Sequence, residues 1–236
     1  MKKVSAALAA RLLSDDRAVT ANAIAIAASH NNTLAQSQRG NIPMMKATAE
    51  ATISKGGVEA ALLAARGLTG PEEIFEGVAG WNVIVAGGLD TDALTQPCNE
   101  RYRVMDACLK PFAAVAGAMA PVQAAIDLAA EHRFDSGDIE QITIKLPANA
   151  AKKASGDPKK LVPHDKETAD HSFHYCVAVA LLDQACGEAQ FTEAKLQSAA
   201  VRGLIERTGV ESNDALTALW PGSSGGGVTV RLRSGA

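Results

Sequence analysis

The stretch Ile139-Glu140-Gln141-Ile142-Thr143-Ile144-Lys145-Leu146-Pro147 sets Ile142, Ile144 and Leu146 two residues apart, with polar side chains between them. Successive side chains of a strand point to opposite faces, so this spacing predicts a half-buried strand. The turn signal Asp135-Ser136-Gly137-Asp138 precedes it, and the pattern from about Ala120 to His132 is helical. A helix feeding such a strand is an α+β unit. Farther on, Val228-Thr229-Val230-Arg231-Leu232-Arg233 alternates in the same way and is expected to pair with Ile139 to Leu146 as a second strand. The chain stops at Ser234-Gly235-Ala236, one turn later, which leaves a strand edge uncovered and suggests a further C-terminal piece.

Upstream of this unit the patterns are helical. Val4 to about Ser29 reads as an Ala-rich helix, a cap at Asp15-Asp16, and a second helix through Ala21 to Ala28. A polar tract, His30 to Gly40, ends it. After Pro43 a helix carries Met44, Met45, Lys46 and Ala49, meets Gly56-Gly57, and resumes from Val58 to Arg66 before Gly67, so two helices are expected to meet at the glycine pair. A short helix is expected from Pro71 to Glu76, a loop from Gly80 to Gly88, and a more extended run around Arg101 to Phe112. Toward the other end, Lys152 to Pro163 reads as an exposed connection, Ala169 to Cys186 as a long helix, and Glu193 to Arg207 as another. The fold class is mainly α with an α+β part.

Composition narrows the function. A chain of 236 residues, 47% hydrophobic and 21% charged, can bury a sizeable core as one large or two small domains. Only 4% of residues are aromatic, so small side chains must fill that core, which suits closely packed helices. Net charge is -3, and no block of like charge exceeds a pair such as Lys152-Lys153 or Lys159-Lys160, which argues against nucleic acid or an anionic membrane as partner. The apolar run Val4 to Leu13 is interrupted by Arg11 and is too short for a bilayer; an amphipathic helix is expected.

Cys98, Cys108, Cys176 and Cys186 show no C-x-x-C spacing, and the last two are expected in one helix, too far apart along its axis to be bridged. Reduced thiols in the cytoplasm follow as the expectation. With no H-E-x-x-H and no paired-cysteine pattern, no metal is expected. Gly222-Ser223-Ser224-Gly225-Gly226-Gly227 lacks the Lys and the strand-to-helix setting of a phosphate loop, and reads as a flexible connection.

The chemistry concentrates in Glu167-Thr168-Ala169-Asp170-His171-Ser172-Phe173-His174-Tyr175. If a helix starts near Thr168 or Asp170, His171, His174 and Tyr175 fall at i, i+3 and i+4 and share one face, as proton-transfer chemistry requires. The competing reading is that Asp170 and Ser172 only cap the helix while the histidines sit at a core boundary. Lys46, between Met45 and Ala47, and Lys110, before Pro111-Phe112, are candidate carboxylate binders, against the ordinary case of a solvated lysine. In Arg39-Gly40-Asn41, before a helix, Arg39 reads as a plain loop residue and Asn41 stays open.

The same places carry a resemblance. Gly40-Asn41-Ile42-Pro43-Met44-Met45-Lys46, Gly57 to Ala64, Gly67-Leu68-Thr69-Gly70-Pro71 with Ile74-Phe75-Glu76-Gly77, and Glu167-Thr168-Ala169-Asp170-His171-Ser172 together resemble the MmgE/PrpD family, in the family's order from about Asp16 to Gly235. That family includes 2-methylcitrate dehydratases, cis-aconitate decarboxylases and iminodisuccinate epimerases, and the last motif is most similar to the dehydratase branch. The resemblance implies a helical domain, here residues 1–98, and a smaller α+β lid, residues 99–165. Residues 166–190 would then return to the helical domain and residues 191–236 re-enter the lid. It also implies no cofactor, a small polycarboxylate substrate, and a homodimer. His171, Tyr175 and Lys110 would be catalytic, and Lys46, Asn41, Ser172 and His174 would bind substrate.

Two departures accompany it. Family members are much longer, so the chain is expected to be a fragment without the N-terminal half, which holds the Asp and His used for proton abstraction, and without the extreme C-terminus. After Lys110 the family usually shows a Cys and a His, where this chain has Ala113-Ala114-Val115-Ala116-Gly117. Two readings result. One is a hydro-lyase of the 2-methylcitrate dehydratase type whose base comes from a separately encoded half or a partner. The other is a non-catalytic paralogue serving as a carboxylate-binding or dimerising module.

Overall fold

Runs of alanine and one aspartate cap shape the first of two units in a computed structural model that describes residues 2–30, 33–88, 90 and 102–235. This unit comprises Met1–Ser37 and Met44–Ala107. Its helices α1 (Lys2–Leu13), α2 (Arg17–Ser29) and α3 (Met45–Ala64) pack on one another around Ala6, Ala10, Ala23, Ile26, Ala27, Ala60, Ala61 and Ala64. Asp16 starts α2 as the sequence suggests, its Oδ1 accepting from the Ala18 N–H at 2.8 Å. The larger apolar side chains of α1, Val4, Leu8 and Leu12, point away from this alanine core, and Leu12 is 88% exposed.

The glycine pair does not separate two helices. α3 runs through Gly56 and Gly57 unbroken, and the glycines serve packing instead: a Cβ on Gly57 would lie 2.6 Å from the Lys2 carbonyl oxygen and 2.7 Å from Ser5 Cβ. Glycine lets α1 and α3 touch backbone to backbone there. Pro71 to Glu76, expected as helix, forms turns, and the expected loop from Gly80 contains a π-helical turn, Asn82–Ala86. Cys98 lies outside the described residues.

The second unit comprises Gln38–Pro43 and Cys108–Ala236. Its longer helices are α4 (Met119–His132), α5 (Ala148–Ser155), α6 (Phe173–Asp183) and α7 (Ala199–Glu206); its strands are β1 (Ile139–Leu146), β2 (Thr208–Ser212) and β3 (Gly227–Leu232). Among the described residues these strands form one sheet in the order β2-β1-β3. β3 pairs antiparallel with β1, from Ile139 opposite Leu232 to Lys145 opposite Gly227, the pairing expected from the alternation. β2 was not foreseen: it pairs parallel with β1, from Ile142 opposite Thr208 to Leu146 opposite Ser212. Flanked on both edges, β1 buries Ile139, Ile142, Ile144 and Leu146 against Val122 and Ala125 of α4 and the apolar run of α6. The chain is thus mainly α with an α+β part.

Three boundaries in this unit depart from the sequence reading. Ala151 and Ala154 are buried on α5, so helix occupies the start of the stretch expected as an exposed connection. The expected helix Glu193 to Arg207 breaks where Ser198 caps α7 anew. The expected helix Ala169 to Cys186 is also broken. Asp165 caps a single helical turn, Lys166–Ala169, and Ser172, extended at φ -94° and ψ 110°, caps α6 separately. Two cap residues seven apart compete for the same helix start, and each takes one. α6 ends at Gln184, which adopts a left-handed φ of 51°. No helix of the described residues is long and apolar enough to cross a membrane.

Candidate functional site

Cap chemistry between residues 157 and 176 builds the polar cluster of the second unit. Asp165 Oδ1 accepts from the Thr168 N–H at 2.7 Å, and this turn presents the Thr168 hydroxyl oxygen to the Ile42 N–H at 3.0 Å. Asp157 reaches the same loop: its Oδ2 accepts from the Gly40 N–H at 2.9 Å while its Oδ1 accepts from the Lys159 N–H at 3.2 Å. Gly40 has a φ of 65°, a conformation glycine adopts without strain. Residues 38–43 are therefore tied down at both Gly40 and Ile42. Ser172 completes the frame, its Oγ accepting from the Tyr175 N–H at 3.1 Å and donating to the Lys160 carbonyl at 2.6 Å.

With Asp165 and Ser172 as the caps, the Asp170 carboxylate is left for another task. Its Oδ1 pairs with His171 Nδ1, and Lys166 Nζ stands 3.6 Å from its Oδ2. His171 Nδ1 also lies 3.1 Å from the Glu167 carbonyl oxygen. The two side chains are 15% and 16% exposed, which shields the pair while leaving it reachable. With Nδ1 turned to the carboxylate and the Glu167 carbonyl, the ring orientation is fixed and Nε2 is the nitrogen left to exchange a proton. Capping by Asp170 was the competing reading; its place directly before His171 was the available signal for this pairing.

His171 precedes α6, so it does not share a helical face with His174 and Tyr175. His174 lies within α6 and is 4% exposed, its Nδ1 has no partner, and burial pushes its pKa below the usual value. Tyr175 is also buried. Its hydroxyl donates to the Gln190 carbonyl at 2.6 Å and its ring meets Phe191 at 5.6 Å between centroids. Burial is the main cause that raises its phenol well above the ordinary value, with Cys176, Cys186 and Asp183 adding to it, so it stays protonated. Its ring borders a cavity of about 200 Å³ lined also by Pro163, Leu196, Arg202 and Glu206.

The remaining candidates are Lys110, Asn41 and Lys46. Lys110 is exposed, and its Nζ donates to the Ala114 carbonyl at 3.0 Å. Asn41 is exposed between the two tethered residues Gly40 and Ile42. Lys46 occupies the first turn of α3, half-buried, in the first unit.

Cys176 and Cys186, expected to be far apart, meet. The left-handed turn at Gln184 sends the chain back, the Cys186 carbonyl accepts from the Ala113 N–H at 3.0 Å, and the Cys176 thiol, beside that of Cys186, donates to the Ala169 carbonyl at 3.5 Å. The neighbouring Cys186 thiol, with full burial, holds the Cys176 thiol far above its usual pKa, while Cys176 in turn lowers the Cys186 thiol. Both are free, as is exposed Cys108.

Comparison with protein families adds two matches. Residues 1–93 match the MmgE/PrpD N-terminal domain, and residues 112–236 match the MmgE/PrpD C-terminal domain.

Proposed function

The chain belongs to the MmgE/PrpD family, whose membership supports a dehydratase- or lyase-like role, and from that premise we propose a cofactor-independent lyase acting on a small polycarboxylate, of the 2-methylcitrate dehydratase kind. The observation that carries the proposal is the Asp170–His171 pair, a carboxylate-oriented imidazole that is mostly but not fully buried. In a dehydration, a proton leaves the carbon beside a carboxylate and hydroxide leaves the neighbouring carbon. His171, as an imidazolium held by Asp170, donates from Nε2 to the departing hydroxyl, which avoids release of free hydroxide. Tyr175, kept protonated by burial and engaged by the Gln190 carbonyl, is assigned a supporting role rather than a proton transfer. Within the second unit, exposed Lys110 and Asn41 are the carboxylate-binding groups and buried Ser172 and His174 support them, while Lys46 is the candidate carboxylate-binding cation of the first unit. The base that removes the carbon-bound proton lies outside this set of residues; further N-terminal family sequence, or a second copy in a cytoplasmic homodimer, would supply it.

The test is direct. The purified chain, alone and with a candidate N-terminal half, is given 2-methylcitrate, and the ultraviolet absorbance of the conjugated product is followed. Turnover that falls about a hundredfold or more in His171→Gln, with the fold intact, is the expected result. Absence of binding to both 2-methylcitrate and cis-aconitate overturns the proposal.

One observation favours a second reading, a non-catalytic carboxylate-binding or dimerising module. Lys110 turns back onto the Ala114 carbonyl within an apolar segment where the family usually places Cys and His donors. Binding of the polycarboxylate without turnover under every pairing is the outcome this reading expects.

A further inference from the structure

The two lysine pairs that are isolated in the sequence do not stay isolated in the second unit. Lys153 ends α5, Lys159 and Lys160 follow in the turn after Asp157-Pro158, and the tethered loop 38–43 brings Arg39 beside them. Contact with the loop is close: Lys159 Nζ lies 3.8 Å from where a Cβ on Gly40 would sit. The charges of Arg39 and Lys153 both press on the Lys160 ammonium, which is itself partly removed from water; burial first, then these two neighbours, lower its pKa against the opposing pull of Asp157. Asp157 is the carboxylate that acts on Lys160, and both its oxygens are already engaged by backbone N–H groups of Gly40 and Lys159.

A lysine at a helix end is ordinary, because cations there offset the helix dipole, and that accounts for Lys153. It does not account for Lys160, whose backbone carbonyl is fixed by the Ser172 hydroxyl and whose ammonium is held among like charges. Like charges gathered on two separate chain segments, and clamped by a carboxylate that spends itself on the backbone, are arranged for a multiply charged anion.

We propose that Arg39, Lys153, Lys159 and Lys160, set by the Asp157 clamp on Gly40, form an oxyanion subsite that takes a ligand bearing two or more carboxylates. The choice of carboxylate as the anion rests on the lyase reading above; the site itself rests on the clamp and the four cations. Nothing in the sequence motifs assigns these residues a role, since each pair alone reads as solvated surface.

Calorimetric titration of the full chain with tricarballylate, acetate and inorganic phosphate tests it. Tricarballylate is expected to bind with an affinity that falls as salt is raised, acetate to bind at least tenfold more weakly, and Lys160→Gln to cost about tenfold. Lys153→Gln with Lys159→Gln, both at exposed positions, repeats the test without risk to folding, which far-ultraviolet circular dichroism checks. Asp157→Ala separates a built site from a mere charge patch. It adds net positive charge, so a patch would bind tricarballylate more tightly, whereas loss of the clamp on Gly40 is expected to weaken binding several-fold. Wild-type binding of tricarballylate that none of these variants changes, or that tightens in Asp157→Ala, overturns the subsite and leaves the lyase reading standing. No tricarballylate binding at all, or lysine-dependent binding of phosphate alone, overturns the carboxylate subsite, while the lyase reading stands or falls separately on binding and turnover of 2-methylcitrate.

Discussion

His171 and His174 are three residues apart and have opposite environments. His171 has its Nδ1 on a carboxylate and keeps some contact with water; His174 is buried with an unpartnered Nδ1. On the lyase reading Asp170→Asn keeps the side-chain shape but loses the carboxylate that orients the His171 ring, so turnover is expected to drop about a hundredfold or more with little change in substrate affinity. Steady-state kinetics on the folded variant checks this. His174 makes a stability prediction instead. Burial holds its folded pKa below the usual 6.5, so as pH falls below 6.5 the unfolded chain takes up a proton that the folded chain resists. Its contribution is therefore full above pH 6.5 and lost progressively beneath it. Urea midpoints measured from pH 7.5 to 5 are expected to fall with acidity, and less steeply in His174→Leu. The sequence made both histidines visible but not the difference between them, because burial depends on which turn starts α6, and one side chain, Ser172, decides that.

At the scale of elements, caps and close approaches are where the sequence reading succeeded or failed. Asp16 and the alternation of β1 were legible because each acts through neighbours in the chain. The Gly56-Gly57 pair was misread as a break because its reason lies in α1, more than forty residues away, and a glycine that permits contact looks in sequence like a glycine that ends a helix. Gly57→Ala is accordingly expected to destabilise the first unit by about 1–3 kcal/mol, although Ala is the better helix former, because its Cβ has no room against the Lys2 carbonyl. Thermal unfolding reports the sign. Ser172→Ala removes the α6 cap and strands the Lys160 carbonyl, with an expected cost of about 1–2 kcal/mol in denaturant unfolding. β2 was missed for a related reason: Thr208-Gly209-Val210-Glu211-Ser212 is too short to show a period, and it is a strand because β1 offers it an edge.

Across the whole molecule the two units have different interiors. The first is packed with alanines, which bury little area each, while the second buries Ile, Leu, Val, Phe and Tyr around β1 and α6. Hydrogen exchange followed by mass spectrometry is expected to find the slowest amides in β1 and α6 and faster opening in α1 to α3. Equal protection in α1 would mean that its outward stripe, Val4, Leu8 and Leu12, is covered in solution, as the proposed homodimer would allow. The position of β1 also has a consequence for synthesis. It is the middle strand, yet both neighbours, Thr208–Ser212 and Gly227–Leu232, follow it by more than sixty residues. At roughly 5–20 residues per second, a newly made β1 spends seconds outside the ribosome with two bare edges and an apolar face. Nascent chains arrested before Thr208 are therefore the ones that chaperones must hold, and the same chains released early are the ones that precipitate.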